Sequence, residues 1–295
     1  PFFGGTFFPP RSQYNRPGFP DVVRRVNELW RSQRENILAT GDHLTSYLRA
    51  PETPITELSP VSGETSRDAF ERFKASFDPV HAGFSGAPKF PRPVALNFLL
   101  RYSARTGDAT AREMTVSTLR AMADGGIHDH LGGGFHRYSV DERWRIPHFE
   151  KMLYDQAQLA IAYLEAFQAS GDRYFSTIAR DILEYVLASL TDEKGGFYSS
   201  EDAESAIEAA VPGKKEEGIF YLWTKSEIEH ALGEPAAGIF GLRFGVEEGG
   251  NAIHDPLGLF RGKNVLYAAR SLQESAIVCG LHEEQAAMVI EQSRG

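Results

Sequence analysis

Ala82-Gly83-Phe84-Ser85, Gly133-Gly134-Phe135-His136 and Gly195-Gly196-Phe197-Tyr198 are three versions of one loop, their phenylalanines 51 and 62 residues apart. Around these loops apolar residues recur at helical spacing. They predict helices near 66–77, 93–106, 109–124, 147–169 and 173–191, with others near 225–232 and 283–292. The repeating unit is therefore a helical hairpin closed by a Gly-Phe loop. Such units stack as an open solenoid or close into a ring. Polar and aromatic side chains gather in the Gly-rich loops, as they would where one end of a ring carries a site, and this favours the ring.

Working outward, residues 1–20 are dense in Gly, Pro and Phe and suit an irregular segment or strand edge. A helix follows, with Pro20 in its first turn, Asp21 complementing the dipole, and Val22, Val26, Leu29, Trp30, Ile37 and Leu38 on one broad face. Pro51, Pro54 and Pro60 mark residues 50–65 as a linker between a segment 1–49 and a helical segment 66–295. Glu217 to Thr224 reads as a short strand pairing with residues 196–199. The chain opens without a methionine and closes just after an amphipathic pattern, so both ends read as cut.

The 31 Lys and Arg against 40 Asp and Glu leave a net charge of -9, which disfavours nucleic acid and anionic membrane surfaces as partners. No apolar run is long enough to span a bilayer, and no targeting segment is visible. One cysteine, Cys279, permits neither an internal disulfide nor a Cys-x-x-Cys pair, and its apolar neighbours make it a small core residue. A reducing, cytoplasmic setting is expected.

Functional side chains are densest between Ile127 and Asp155, which holds four of the nine histidines. His128, His130 and His136 with Asp129 or Asp141 could ligate a metal, but the spacing matches no zinc pattern, and buried histidines bonded to loop carbonyls are the favoured reading. No metal or cofactor is expected. A helix starting near Pro147 would crowd His148, Glu150, Tyr154 and Asp155 into its first two turns, with Leu153, Ala157, Ala160, Ile161 and Leu164 as its apolar face. A capped, solvated helix start weighs evenly against that reading. Glu201 and Asp202 form an acidic turn, and either could pair with Glu150 or Asp155 for acid and base work. Lys89 and Phe90, with Tyr138 and Trp144, add the cation and rings that carbohydrate sites use.

These loops also resemble a known family. Pro1 to Pro10, Gly86-Ala87-Pro88-Lys89-Phe90-Pro91, Asp129 to Asp141, Pro147 to Gln156, and Gly196 to Ala203 are similar to signatures of the spermatogenesis-associated protein 20-like, thioredoxin-domain-containing family. The resemblance implies a mainly α fold: a partial (α/α)6 toroid, six-hairpin glycosidase-like and similar to N-acylglucosamine 2-epimerases. The toroid would follow the C-terminal remnant of a thioredoxin-like α/β domain whose redox cysteines lie upstream. By analogy with the epimerases it implies acid/base chemistry on a sugar by His136 and His148, or, if the site hydrolyses glycosides, by Glu150 or Asp155 paired with Asp202; Lys89, Phe90, Arg137, Tyr138, Trp144 and Glu201 are the candidate ligand-binding residues. The rival expectations are a thiol redox or chaperone-type protein with the toroid as a docking body, and a scaffold whose loops bind a protein partner.

Overall fold

The computed structural model describes residues 8–12, 17–49, 62–206, 215–252 and 260–294. Pro1–Val61 and Ser62–Gly295 are two compact units. In the first, the single expected helix is two, α1 (Phe19–Ser32) and α2 (Arg34–Arg49), separated where Gln33 leaves helical geometry at φ -137°. Pro20 stands in the first turn of α1, and Asp21 pairs with Arg24 at 2.8 Å. Val22 is buried, whereas Trp30 and Leu38 are exposed. Residues 1–7 of the Gly/Pro/Phe opening and residues 50–61 of the expected linker lie outside the described residues.

The second unit is built on α3 (Gly63–Ser76), α4 (Pro93–Thr106), α5 (Ala109–Asp124), α6 (Leu153–Ser170) and α7 (Arg173–Ser189). Ser62, Asp108 and Asp172 cap α3, α5 and α7 by accepting from backbone N–H groups, and left-handed Gly107 and Gly171 end α4 and α6. Helix α4 lies against α5 and α6, and α6 against α7. Leu96, Leu99, Leu119, Met122, Phe135, Leu159 and Tyr163 fill the space between them. The mainly α fold of packed hairpins expected from the sequence is thus observed.

Short antiparallel pairs join the helices: β1 (Tyr138–Ser139) with β2 (Pro147–His148), β3 (Lys151–Met152) with β4 (Ser200–Glu201), and β5 (Glu204–Ala206) with β6 (Lys215–Glu217). Beyond them, α8 (Lys225–Leu232), α9 (Ala236–Phe244), α10 (Leu272–Cys279) and α11 (Glu283–Arg294) share a second core around Ile239, Phe240, Leu266 and Ala286.

Four local expectations are corrected. Residues 147–152 are taken up by two strand pairings, so α6 begins at Leu153 rather than near Pro147. The buried face of α6 is Asp155, Gln156, Leu159, Ala162, Tyr163 and Ala166, which turns Ile161 and Leu164 outward at 48% and 47% exposure. The 217–224 strand stops at Glu217, because Gly218 turns the chain at φ +72° and Tyr221 N–H closes back on its carbonyl; β6 pairs with β5, not with 196–199. Cys279 is exposed at the end of α10.

The three Gly-Phe loops are true repeats. Asp78 N–H donates to the Gly83 carbonyl, Asp129 to Gly134 and Asp192 to Gly196, at 2.9, 3.0 and 2.8 Å. A single antiparallel bridge closes each loop: Phe77 with Phe84, His128 with Phe135, and Thr191 with Phe197. The third is one residue shorter between its aspartate and its phenylalanine.

Candidate functional site

The second loop supports the richest chemistry. Lys151, on β3, is 1% exposed and donates from Nζ to Asp129 Oδ2 (2.7 Å) and to the Gly133 carbonyl (3.0 Å). Its ammonium also lies 4.2 Å from the centre of the Tyr185 ring. The other oxygen of Asp129 accepts from the N–H groups of Leu131 and Gly132. Burial alone would raise the Asp129 pKa, but Lys151, His136 and the Gly132 N–H together hold it well below the usual carboxylate range. Around this pair, Tyr185 and Tyr221 both donate their hydroxyls to Glu201, the first at 2.7 Å. Burial first, then the Glu201 charge, pushes both phenols above their ordinary range.

His136 packs edge-on to Tyr221 and Phe149. Its Nδ1 is 3.0 Å from the Phe149 carbonyl, which can only accept, so Nδ1 carries the hydrogen and Nε2 an acceptor lone pair that has no hydrogen-bond partner among the described residues. Burial, reinforced by the Lys151 ammonium, pulls its pKa down to about 3, so the ring is neutral. His136 stands in the wall of a cavity of about 410 Å³, together with Phe149, Phe220, Tyr221, Trp223 and Arg294. His128 and His130 line it too, with both nitrogens of His128 and the Nε2 of His130 engaged. His128 meets the Ala123 carbonyl and Asp181 at 3.0 and 2.9 Å, and His130 meets the Gly125 carbonyl at 3.0 Å. Burial also holds His130 well below its ordinary pKa. Among the described residues no group of three or more His, Cys, Asp or Glu is arranged to hold a metal ion.

A second cluster is carried by the same two backbone segments, since Arg137 follows His136 and Glu150 follows Phe149. The β1–β2 register sets Tyr138 opposite His148, their rings stacked at 5.0 Å, and half-exposed Phe90 lies 4.7 Å from Tyr138. His148 Nδ1 is 2.6 Å from Glu217, and its Nε2 is 3.7 Å from Glu150. Glu150 accepts from Arg137 at 2.6 Å. Asp155, in the first turn of α6, is 9% exposed, and its Oδ2 has no hydrogen-bond partner among the described residues. Burial, aided by the Glu150 charge and opposed by Arg137, raises its pKa to about 6.

The structure thus gathers Phe90, Arg137, Tyr138, His148, Glu150 and Asp155 in one cluster and sets His136 on the neighbouring cavity. It places the other candidates elsewhere. Lys89 is fully buried and bonds Asp78 (2.7 Å) and the Ala82 carbonyl (2.8 Å). Trp144 is fully buried too, its indole N–H on the His81 carbonyl. Both belong to the core of the first loop rather than to a ligand surface. Glu201 is held between two tyrosines, and the exposed Asp202 faces Lys215 at 3.6 Å. Missed from the sequence were Lys151, Tyr185, Tyr221 and Asp181. The signal was there for Lys151: Asp78 and Asp129 each stand six residues before the loop phenylalanine, and each has a lysine downstream.

Compared with known proteins, the chain is 43% identical over 302 residues to spermatogenesis-associated protein 20 of Homo sapiens, an alignment covering 96% of this chain. The chain is a homologue of spermatogenesis-associated protein 20. It spans 38% of that human relative's length. The family described as Thioredox_DsbH, protein of unknown function, DUF255, matches residues 1–49. Among solved structures, cellobiose 2-epimerase from Spirochaeta thermophila DSM 6192 is 20% identical with a TM-score of 0.41, over 50% of this chain and 41% of that one. A sugar epimerase from a ruminal bacterium is 17% identical with a TM-score of 0.43, over 60% and 48%.

Proposed function

We propose that the cavity beside His136 binds a carbohydrate. The observation that carries this reading is a neutral imidazole fixed by Nδ1 on the Phe149 carbonyl, its Nε2 without a partner among the described residues and able to accept from a hydroxyl, set among Phe149, Phe220, Tyr221 and Trp223. Aromatic walls with a few oriented polar groups, in a volume of about 410 Å³, suit a sugar's apolar faces and hydroxyl rim. With a pKa of about 3, His136 is too weak a base to take a C–H proton near neutral pH, so its role is to accept a hydrogen bond. A cytoplasmic setting accords with the single, unpaired cysteine.

Titrating mono- and disaccharides while following Trp223 fluorescence tests the reading. Saturable binding is expected, weakened about three- to tenfold in His136→Asn, whose amide keeps the bond to Phe149 but lacks the ring's accepting nitrogen. A full sugar panel without a saturable response, or an unaltered affinity in His136→Asn, overturns it.

A second reading, acid/base turnover of a sugar at the neighbouring Arg137, Glu150 and Asp155 cluster rather than in the cavity, is favoured by Asp155, whose pKa of about 6 suits proton exchange near neutrality. Deuterium from D₂O should then enter the sugar carbon next to the carbonyl, and Asp155→Asn should abolish the exchange. No exchange in the unaltered protein overturns this second reading and leaves the cavity's binding reading standing.

A further inference from the structure

A different cavity, of about 390 Å³, opens beside Arg143 and Arg145 and is walled also by Ala87 and Asn251. We infer that it binds a small molecule carrying an oxyanion, a phosphomonoester or a carboxylate, through these two arginines. The turn that holds them is rigid. Asp141 accepts from the backbone N–H groups of Arg143 (2.6 Å), Arg145 (3.2 Å) and Ile146 (2.7 Å), so its carboxylate is occupied in ordering the turn. Between the arginines stands Trp144 at φ +62°, a left-handed conformation that a bulky residue adopts only when its surroundings impose it. The fully buried indole, bonded to the His81 carbonyl, supplies that constraint.

The arginines themselves are not satisfied. The Arg145 guanidinium carbon lies over Tyr267, 3.8 Å from the ring centre, and the residue is partly buried. Among the described residues neither it nor Arg143 has a carboxylate within ion-pairing distance. Glu142, which also lines the cavity, is 3.7 Å from His81 instead. Asn251 does not compete for the cations, since its amide is taken up by the Gly245 and Val265 carbonyls and the Val265 N–H. A guanidinium held over a ring, with no side-chain hydrogen bond among the described residues, presents the planar fork that fits a carboxylate or phosphate in two bonds. The volume lies in the small-molecule range of about 300–1,000 Å³, so the oxyanion would be borne on a larger body. With a net charge of -9 the chain as a whole repels anions, so saturable binding would report a local site.

Calorimetric titration at low salt with inorganic phosphate, a hexose 6-phosphate, a hexuronate and the neutral hexose tests this. The hexose phosphate or the hexuronate should saturate more tightly than the neutral sugar, and which of them wins identifies the oxyanion. Arg145→Gln should weaken that binding by about tenfold or more, with Arg145→Lys restoring little, because an ammonium lacks the fork. Arg143→Gln, at an exposed position that leaves the fold alone, should weaken it less. His136→Asn should not change it. Failure of both anions to saturate, unaltered affinity in Arg145→Gln and Arg143→Gln, or loss of binding in His136→Asn overturns the proposal.

Discussion

The first and second Gly-Phe loops use one device for two ends. In each, a buried lysine from the following segment binds the loop aspartate at 2.7 Å and a loop carbonyl four residues beyond that aspartate. Around the first, the lysine is enclosed by Trp144 and the α4–α5 core, and only the Asp78 carboxylate reaches water. Around the second, the lysine meets tyrosine rings, and the Asp129 loop forms part of a cavity wall. A buried ion pair is therefore scaffold in this fold, and the site is made by what is left open beside it. Removing the lysine breaks the comparison most sharply, because an aspartate stays buried and unpaired. Lys151→Met should cost about 3–5 kcal/mol. Lys89→Met should cost less, since the Asp78 side chain is 21% exposed against 10% for Asp129 and water can reach it. Urea unfolding of the two variants measures the difference, and equal losses would contradict it.

Periodicity made the helices and the loop repeat legible, because a helix buries one stripe and the repeat keeps its glycines. Long-range pairing was not legible. Pro147 suggested a helix start, but the strand partners of residues 147–152 lie at Tyr138–Ser139 and Ser200–Glu201, and no local pattern announces them. That shift of the helix start also misdirected its apolar face. At the site, Arg137, His148, Glu150 and Asp155 were found because polar residues concentrate there. Tyr185 and Tyr221 were not, since a tyrosine in a helix or an apolar run looks like core until its hydroxyl partner, here Glu201, is known. Lys89 and Trp144 were misplaced for the converse reason: a loop position suggested exposure, and the neighbouring chain buries both.

The glycines sharpen the loop comparison at intermediate cost. Gly83 and Gly134 have φ of +88° and +73°, and an added Cβ would stand 2.6 Å from the Trp144 ring and 2.5 Å from the Tyr185 ring. Gly195, in the shorter third loop, has φ +90° but nothing within 4 Å of such a Cβ. Gly195→Ala should therefore show the left-handed strain alone, about 1–2 kcal/mol. Gly83→Ala and Gly134→Ala should add about 1–3 kcal/mol of overpacking. Thermal or urea midpoints rank the three, and a Gly195→Ala as damaging as the others would mean that the third loop is covered too.

The smallest effect separates the cavity from the charged cluster by the sign of its pH dependence. His136, facing Asp129, Lys151 and His128, has its pKa lowered from 6.5 to about 3 on folding. The unfolded chain then binds the extra proton, so the contribution is complete above pH 6.5 and is lost as pH falls toward 3. Asp155, facing Arg137 and Glu150, is shifted the other way, from 3.8 to about 6, so its contribution is complete below 3.8 and is lost as pH rises through 6. Between pH 4.5 and 6 the two oppose each other. His136→Asn should therefore flatten the rise of stability with pH by up to about 1.4 kcal/mol per unit, leaving the part due to buried His130. Asp155→Asn should steepen the rise over the same window. Unfolding midpoints taken from pH 4.5 to 7.5 resolve the two slopes. Both variants moving in the same direction would mean that one of these groups is not buried in the protonation state its surroundings favour.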